Sequence, residues 1–166
     1  MGSGKTTLGR KLARLLNYPF IDLDEFIVEK EGRSITQIFE SSGEQAYRKI
    51  ESGSLDEVLK TGVPCVIALG GGTVCFGTNL AKVREAGLLV YIELPAAVLV
   101  SRLSHGRSNR PLLKGIRESE MLRVIEALLQ QRKKFYTQAH IIINGLNLTP
   151  QHLHQVILAE LSKHTG

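Results

Sequence analysis

The chain opens Met1-Gly2-Ser3-Gly4-Lys5-Thr6-Thr7, the closing half of a loop of the form G-x-x-x-x-G-K-[ST]. No other stretch constrains the fold as strongly. Successive backbone N–H groups in such a loop turn inward and form an anion-binding concavity. Its glycines adopt backbone angles closed to other residues. The loop must be followed by a helix, and one is visible: Leu8, Leu12, Leu15 and Leu16 recur at helical spacing from about Lys5 to Leu16. The positive end of that helix adds to the concavity. Gly2, Ser3, Gly4, Lys5, Thr6 and Thr7 are therefore candidates for holding a nucleotide triphosphate. Lys5 would reach the β- and γ-phosphates, and the Thr6 hydroxyl would ligate Mg²⁺. The plainer reading, a flexible Gly/Ser terminus or a tag remnant, fits poorly with an amphipathic helix that follows at once.

At 166 residues, with 43% hydrophobic and 22% charged residues, the sequence suits one globular domain with a real core. No apolar run reaches membrane-spanning length and no secretory signal is visible. Cys65 and Cys75 make neither a disulfide framework nor a zinc site; Cys65 reads as a small core residue in a buried strand. A cytoplasmic, monomeric protein is the expectation. The net charge of +5 asks for an anionic partner or none. Nucleic acid is not expected, because no aromatic-basic interleaving or binding motif supports it.

Strands and helices alternate along the chain. Phe20–Asp24 reads as a strand ending in two carboxylates, after Pro19 has broken the first helix. Helical patterns follow over Glu25–Lys30 and Ser34–Glu40, then a longer one over Glu44–Leu59 that stops near Gly62 and Pro64. Cys65–Leu69 is a short apolar run leading into Gly70-Gly71-Gly72. A helix over Asn79–Glu85 precedes a strand over Leu88–Leu94, and Pro95 opens a helix over Ala96–Leu103. Residues 104–117 are polar, basic and without period, and read as a lid. A helix over Glu118–Tyr136, a strand over Ala139–Asn144 and a helix capped by Thr149-Pro150 complete the chain. The pattern implies a parallel sheet covered by helices on both faces. Ligands of such sheets sit beyond the carboxyl ends of the strands, where the phosphate loop, Asp22/Asp24 and Gly70–Gly72 all fall.

Each remaining candidate has a plainer alternative. Asp22 and Asp24 are suited to organise Mg²⁺ and to accept a hydroxyl proton, or one of them simply caps the helix beginning near Glu25. Arg48 and Glu51, spaced i, i+3, form either a surface ion pair or a guanidinium steadied to grip a substrate carboxylate. Three consecutive glycines at Gly70, Gly71 and Gly72 exceed what a tight turn needs and suggest backbone lying against a bound molecule. Arg110, in the lid candidate, is either solvated or swings over the phosphates. Arg132 and Tyr136 lie i, i+4 near a helix end. The five histidines form no metal pattern, and His140 reads as an accommodated strand residue.

Six segments keep a common order: G-S-G-K-T-T at Gly2–Thr7, D-L-D at Asp22–Asp24, G-E-Q-A-Y-R-K-I-E at Gly43–Glu51, G-G-G at Gly70–Gly72, R-P-L-L at Arg110–Leu113 and R-K-K-F-Y at Arg132–Tyr136. Together they resemble the shikimate kinases, small P-loop kinases of the nucleoside monophosphate kinase type. The resemblance spans nearly the whole chain. It implies a single P-loop kinase domain over residues 1–166, with a lid at about 104–117. It also implies ATP- and Mg²⁺-dependent phosphorylation of the shikimate 3-hydroxyl, a step toward chorismate and the aromatic amino acids. On that reading Asp24 binds the acceptor hydroxyls and takes the proton, while Asp22 and Thr6 support Mg²⁺. Arg48 and Arg132 hold the shikimate carboxylate, Gly70, Gly71 and Gly72 line the ring, and Lys5 and Arg110 neutralise the migrating phosphoryl group. The Asn144–Pro150 loop approaches adenine, with Arg102 or Arg107 as its neighbour. A gluconate kinase-like enzyme and a nucleotide-binding module without turnover are the competing readings.

The chain departs from this family in two places. Leu69 stands before the triple glycine where relatives often carry Ser or Thr, which shifts the holding of a magnesium-bound water to Thr6 and Asp22. The strand that feeds the loop, and the loop's leading glycine, would fall ahead of Met1, roughly one strand's worth of residues. The resemblance implies a parallel sheet of five strands when complete, with this first strand mid-sheet, flanked by the strands at Phe20 and Cys65. Without it the sheet would leave ladder groups unpaired, each costing about 1–3 kcal/mol.

Overall fold

The structure is a computed structural model that describes residues 2–103, 113 and 115–163. Helix α1, Lys5–Leu16, starts immediately after Gly4, whose φ of 83° lies in the left-handed region. It ends at Asn17, also left-handed, whose N–H returns to the carbonyls of Ala13 and Arg14. A Cβ on buried Gly9 would stand 2.9 Å from the Phe20 ring, so the small residue lets α1 lie close on the first strand. Strand β1, Phe20–Asp22, runs directly into α2, Leu23–Glu31.

Helix α3 spans Ile35–Lys60 and begins with a reciprocal cap between Ser34 and Gln37. Gly43 breaks its path with φ 79° and ψ 170°, so the two helical patterns read from the sequence on either side of this glycine are both present. Strand β2, Val66–Ala68, leads through the glycine loop into a single 3₁₀ turn, Thr73–Cys75, and then α4, Asn79–Ala86. Strand β3 is Val90–Glu93, α5 Ala96–Leu103, α6 Glu118–Tyr136, β4 Ile141–Asn144 and α7 Pro150–Ser162. The strands are shorter than the apolar runs that signal them; Cys65 precedes β2 rather than lying in it. Residues 104–112 and 114 of the expected lid are outside the described residues. Leu113 is buried between α5 and α6 with Leu103 and Met121.

The four described strands form two parallel pairs. In one, Phe20 faces Val66 and Asp22 faces Ala68; in the other, Val90 faces Ile141 and Glu93 faces Asn144. The β1–β2 register corrects one expectation. The Phe20 and Cys65 strands are direct neighbours, so no strand lies between them. The break in the sheet falls instead between β2 and β3, which belong to different pairs. There an apolar cavity of about 730 Å³ opens, lined by Val66 and Ile67 of β2, Val90 and Ile92 of β3, and Leu12 and Leu153 of the helices. Ser3 and Lys5 also border it, so the seam runs up to the phosphate loop.

Three apolar clusters hold the elements. Leu23, Ile27, Ile38 and Leu55 pack α2 against α3; Leu99, Met121 and Ile125 join α5 to α6; Leu12, Ile143 and Ile157 join α1, β4 and α7. The first cluster also contains Tyr47, which places a phenol between the core and the carboxyl ends of β1 and β2. Among the described residues no helix is long and apolar enough to cross a membrane.

Candidate active site

The phosphate loop holds Gly2 and Gly4 at φ 73° and 83°, angles that favour glycine. Gly2 lies on Leu103, whose Cγ would stand 3.1 Å from an added Cβ. Arg102 Nη1 donates to the Ser3 carbonyl at 3.2 Å, so α5 braces the loop from outside. This places Arg102 on the phosphate loop; Arg107, its rival for the adenine, lies outside the described residues. Lys5, Thr6 and Thr7 form the first turn of α1, with Lys5 partly exposed and without an ion-pair partner among the described residues. The helix N-terminus, the two glycine angles and the free ammonium group suit a polyphosphate.

Thr6 Oγ1 donates to Asp22 Oδ2 at 2.7 Å. Asp22 ends β1 and is buried, and its other oxygen accepts the N–H groups of Asp24 and Glu25 at 3.0 and 3.4 Å. Both readings of the acidic pair therefore apply to Asp22: Oδ1 caps α2 and Oδ2 faces the loop threonine. Asp24 does not share a strand face with Asp22, because the helix has already begun at Leu23. The Thr6 and Asp22 oxygens are hard donors. Among the described residues no three acidic, His or Cys side chains group as a metal cage. Two protein oxygens beside a polyphosphate are the donor set Mg²⁺ takes in nucleotide sites, where waters and phosphates complete its octahedron.

The second half of the site is built on α3. Arg48 Nη1 donates to Glu51 Oε2 at 2.7 Å and Nη2 to Glu44 Oε1 at 3.2 Å. This is no surface pair: the Arg48 and Glu51 side chains are 11% and 1% exposed. Burial works against the guanidinium charge, but Glu51 and Glu44 outweigh it and hold Arg48 above its ordinary value. Thr73 Oγ1 donates to the remaining Glu51 oxygen at 2.6 Å. Tyr47 reaches Asp24 Oδ1 at 3.3 Å and Glu51 Oε1 at 3.5 Å. A Cβ at Gly70 would meet Glu51 Oε1 at 2.7 Å, and one at Gly72 would meet the Arg48 guanidinium at 2.5–2.8 Å. The glycine loop thus lies flat against the Arg48–Glu51 pair, which accounts for two of its three glycines.

Arg132 enters from α6. Tyr136, one turn on, donates its hydroxyl to the Gly71 carbonyl and stacks on Tyr91 with ring centroids 4.7 Å apart. Burial pushes the Tyr136 hydroxyl up, opposed by Arg132 and Arg48. The same two arginines oppose the upward push that burial gives the Cys75 thiol. Arg48 and Arg132, from helices far apart in sequence, thus both act on Tyr136 and Cys75, and Tyr136 is bonded to Gly71. Arg110 lies outside the described residues. His140 Nδ1 accepts from the Leu89 N–H at 2.9 Å, the accommodated role expected of it.

Sequence reading missed Tyr47 and Thr73 as site residues. Both were legible as polar side chains within or beside a motif, Tyr47 next to Arg48 and Thr73 next to the triple glycine. Their partner, Glu51, was known only as a neighbour of Arg48.

A chain of polar contacts links the loop to the arginine: Thr6 donates to Asp22, Asp22 accepts the Asp24 N–H, the Tyr47 hydroxyl stands within reach of both Asp24 and Glu51, and Glu51 accepts from Arg48. The phosphate-loop motif and the buried Arg48–Glu51 pair thus flank Asp24. The family profile described as shikimate kinase matches residues 1–162.

The chain belongs to the shikimate kinase family.

It is 40% identical over 142 residues to the shikimate kinase of Bacteroides fragilis, covering 86% of this chain and 79% of that one. It is 37% identical over 164 residues to that of Dechloromonas aromatica, covering 98% and 87%. Among solved structures, it resembles shikimate kinase from Acinetobacter baumannii in complex with shikimate, with a TM-score of 0.88 and 33% identity over 99% of this chain and 89% of that one. Shikimate kinase from Bacteroides thetaiotaomicron gives the same TM-score at 36% identity, covering 98% and 94%. The α/β architecture of parallel strands and flanking helices is that of the family.

Proposed function

We propose that this chain transfers the γ-phosphoryl group of ATP to the 3-hydroxyl of shikimate, a step toward chorismate and the aromatic amino acids. The observation that supports the reading is the chain of polar contacts from Thr6 through Asp24, Tyr47 and Glu51 to Arg48, which sets the phosphate-loop motif and the buried arginine on either side of Asp24. The six ordered motifs and the family membership support it.

The residues divide the work. Gly2–Thr7, Lys5 among them, would hold the polyphosphate, and Thr6 and Asp22 would supply two oxygens to Mg²⁺. When bound, ATP with Mg²⁺ supplies the phosphoryl group and neutralises its charge. Arg48, charged and steadied by Glu51 and Glu44, grips the shikimate carboxylate; Arg132 approaches the same anion from α6. Gly70, Gly71 and Gly72 leave room for the ring. Asp24 accepts the acceptor hydroxyl's proton at a carboxylate oxygen as the new O–P bond forms and the bond from the γ-phosphorus to the bridging oxygen breaks, releasing ADP. Arg110, outside the described residues, would on the motif resemblance add positive charge to the migrating group. Catalysis on this reading is positioning plus fixed charge, with no covalent intermediate on the protein.

The test is ADP release by the purified chain with ATP, Mg²⁺ and either shikimate or gluconate. Turnover with shikimate alone is expected. Preference for gluconate would assign a different acceptor, and ATP binding without turnover on either would make the chain a nucleotide-binding module.

A further inference from the structure

Asp24 has one side-chain hydrogen-bond partner among the described residues, the Tyr47 hydroxyl at 3.3 Å from Oδ1. The same hydroxyl stands 3.5 Å from Glu51 Oε1, yet a phenol has a single proton to give. Glu51 has no need of it. Its Oε1 takes the Thr73 proton at 2.6 Å and its Oε2 takes an Arg48 N–H at 2.7 Å. The shorter contact and the unmet acceptor both lie on the Asp24 side.

We propose that Tyr47 is a positioning residue for Asp24, its hydroxyl aiming the carboxylate that receives the acceptor's proton. The proposal rests on the acceptor-side role given to Asp24 above. It assigns a task to the phenol oxygen that is separate from that of the ring. The ring is held independently, by Phe39 with centroids 4.7 Å apart and by the Arg48 guanidinium 5.3 Å from its centroid. Burial, then the charges of Glu51 and Asp24, push the Tyr47 hydroxyl well above the ordinary phenol range, so it remains a donor wherever the enzyme works. Because α3 carries both Tyr47 and Arg48, one helix sets the direction of the base and the seat of the substrate carboxylate together.

Tyr47→Phe keeps the ring and removes the donor. Its steady-state kinetics are to be compared with wild type, Asp24→Asn and the double variant, with melting temperature as the folding control. The expected result is a kcat about tenfold lower with KM for shikimate changed less than about threefold, since the arginines that hold the carboxylate are untouched. In the Asp24→Asn background, removing the hydroxyl should change residual kcat and the shikimate Kd by less than about twofold. A Tyr47→Phe kcat within about twofold of wild type overturns the proposal, as does an equal loss in both backgrounds. Wild-type protein inactive on shikimate would instead overturn the functional reading on which the proposal stands.

Discussion

At the scale of single residues, the site is a set of charges whose behaviour depends on who neighbours them. Arg48 and Glu51 at i, i+3 read equally well as a surface pair, because spacing on a helix carries no information about which face is covered. Burial decides: with 1% of the Glu51 side chain exposed, the carboxylate needs partners for both oxygens. It finds them in Arg48 and Thr73. Tyr47 carries a pH dependence of its own. The unfolded chain releases the phenol proton near 10, while the folded chain retains it beyond that. Below pH ~10 both states are protonated and the full stabilisation is present; above it, only the unfolded state gives up the proton and stability is lost. Tyr91 and Tyr136 are shifted in the same direction by burial. The melting temperature of the wild type should therefore fall between pH ~9.5 and ~11, and that of Tyr47→Phe should fall less steeply. Parallel curves in a pH-resolved thermal melt would remove Tyr47 from the account.

At the scale of elements, the glycine loop after β2 shows how a motif is shaped by what packs against it. Gly72 has φ −104° and ψ −9°, a conformation open to alanine, so its backbone does not demand glycine. The demand comes from the Arg48 guanidinium, which a Cβ would approach to 2.5 Å. That guanidinium is tied to Glu51 and Glu44 and cannot yield without loosening one of them. Gly72→Ala is expected to raise KM for shikimate about tenfold, the loss of about one charge-assisted hydrogen bond, while kcat changes less. A lowered kcat at unchanged KM would mean that the loop, not the arginine, had been displaced. The sequence reading had the glycines lying against the bound molecule. Two of the three lie against the Arg48–Glu51 pair, a distinction invisible until α3 and the β2 loop are brought together. The elements themselves were largely legible, including the break near Gly43 between two helical patterns. Their ends were not, since Cys65 and Leu69 are as apolar as the strand between them, and only hydrogen bonding marks where pairing stops.

The scale of the whole molecule brings in the seam. Two parallel strand pairs face each other across an apolar cavity of about 730 Å³, and the facing edges of β2 and β3 carry backbone groups that a strand would pair. Each such group left without a partner costs about 1–3 kcal/mol. The seam ends beside Ser3 and Lys5, so its occupancy also bears on how firmly the phosphate loop is held. Extending the chain ahead of Gly2 by about six apolar, β-branched residues should raise the melting temperature by ~4 °C or more and tighten ATP binding. A Gly/Ser extension of equal length should do neither. Equal effects from the two extensions, measured by thermal melt and nucleotide titration, would show that the seam accepts no strand.

The sequence by itself determined the alternation of strands and helices, the phosphate loop and the family, because periodicity and glycine, lysine and arginine motifs are local properties written in neighbouring residues. Only the tertiary structure decided that the Phe20 and Cys65 strands are neighbours, that Arg48 and Glu51 are buried, and that Tyr47 and Thr73 belong to the site. Those facts depend on distances between segments remote along the chain, and a buried hydrogen bond between such segments leaves no spacing to read.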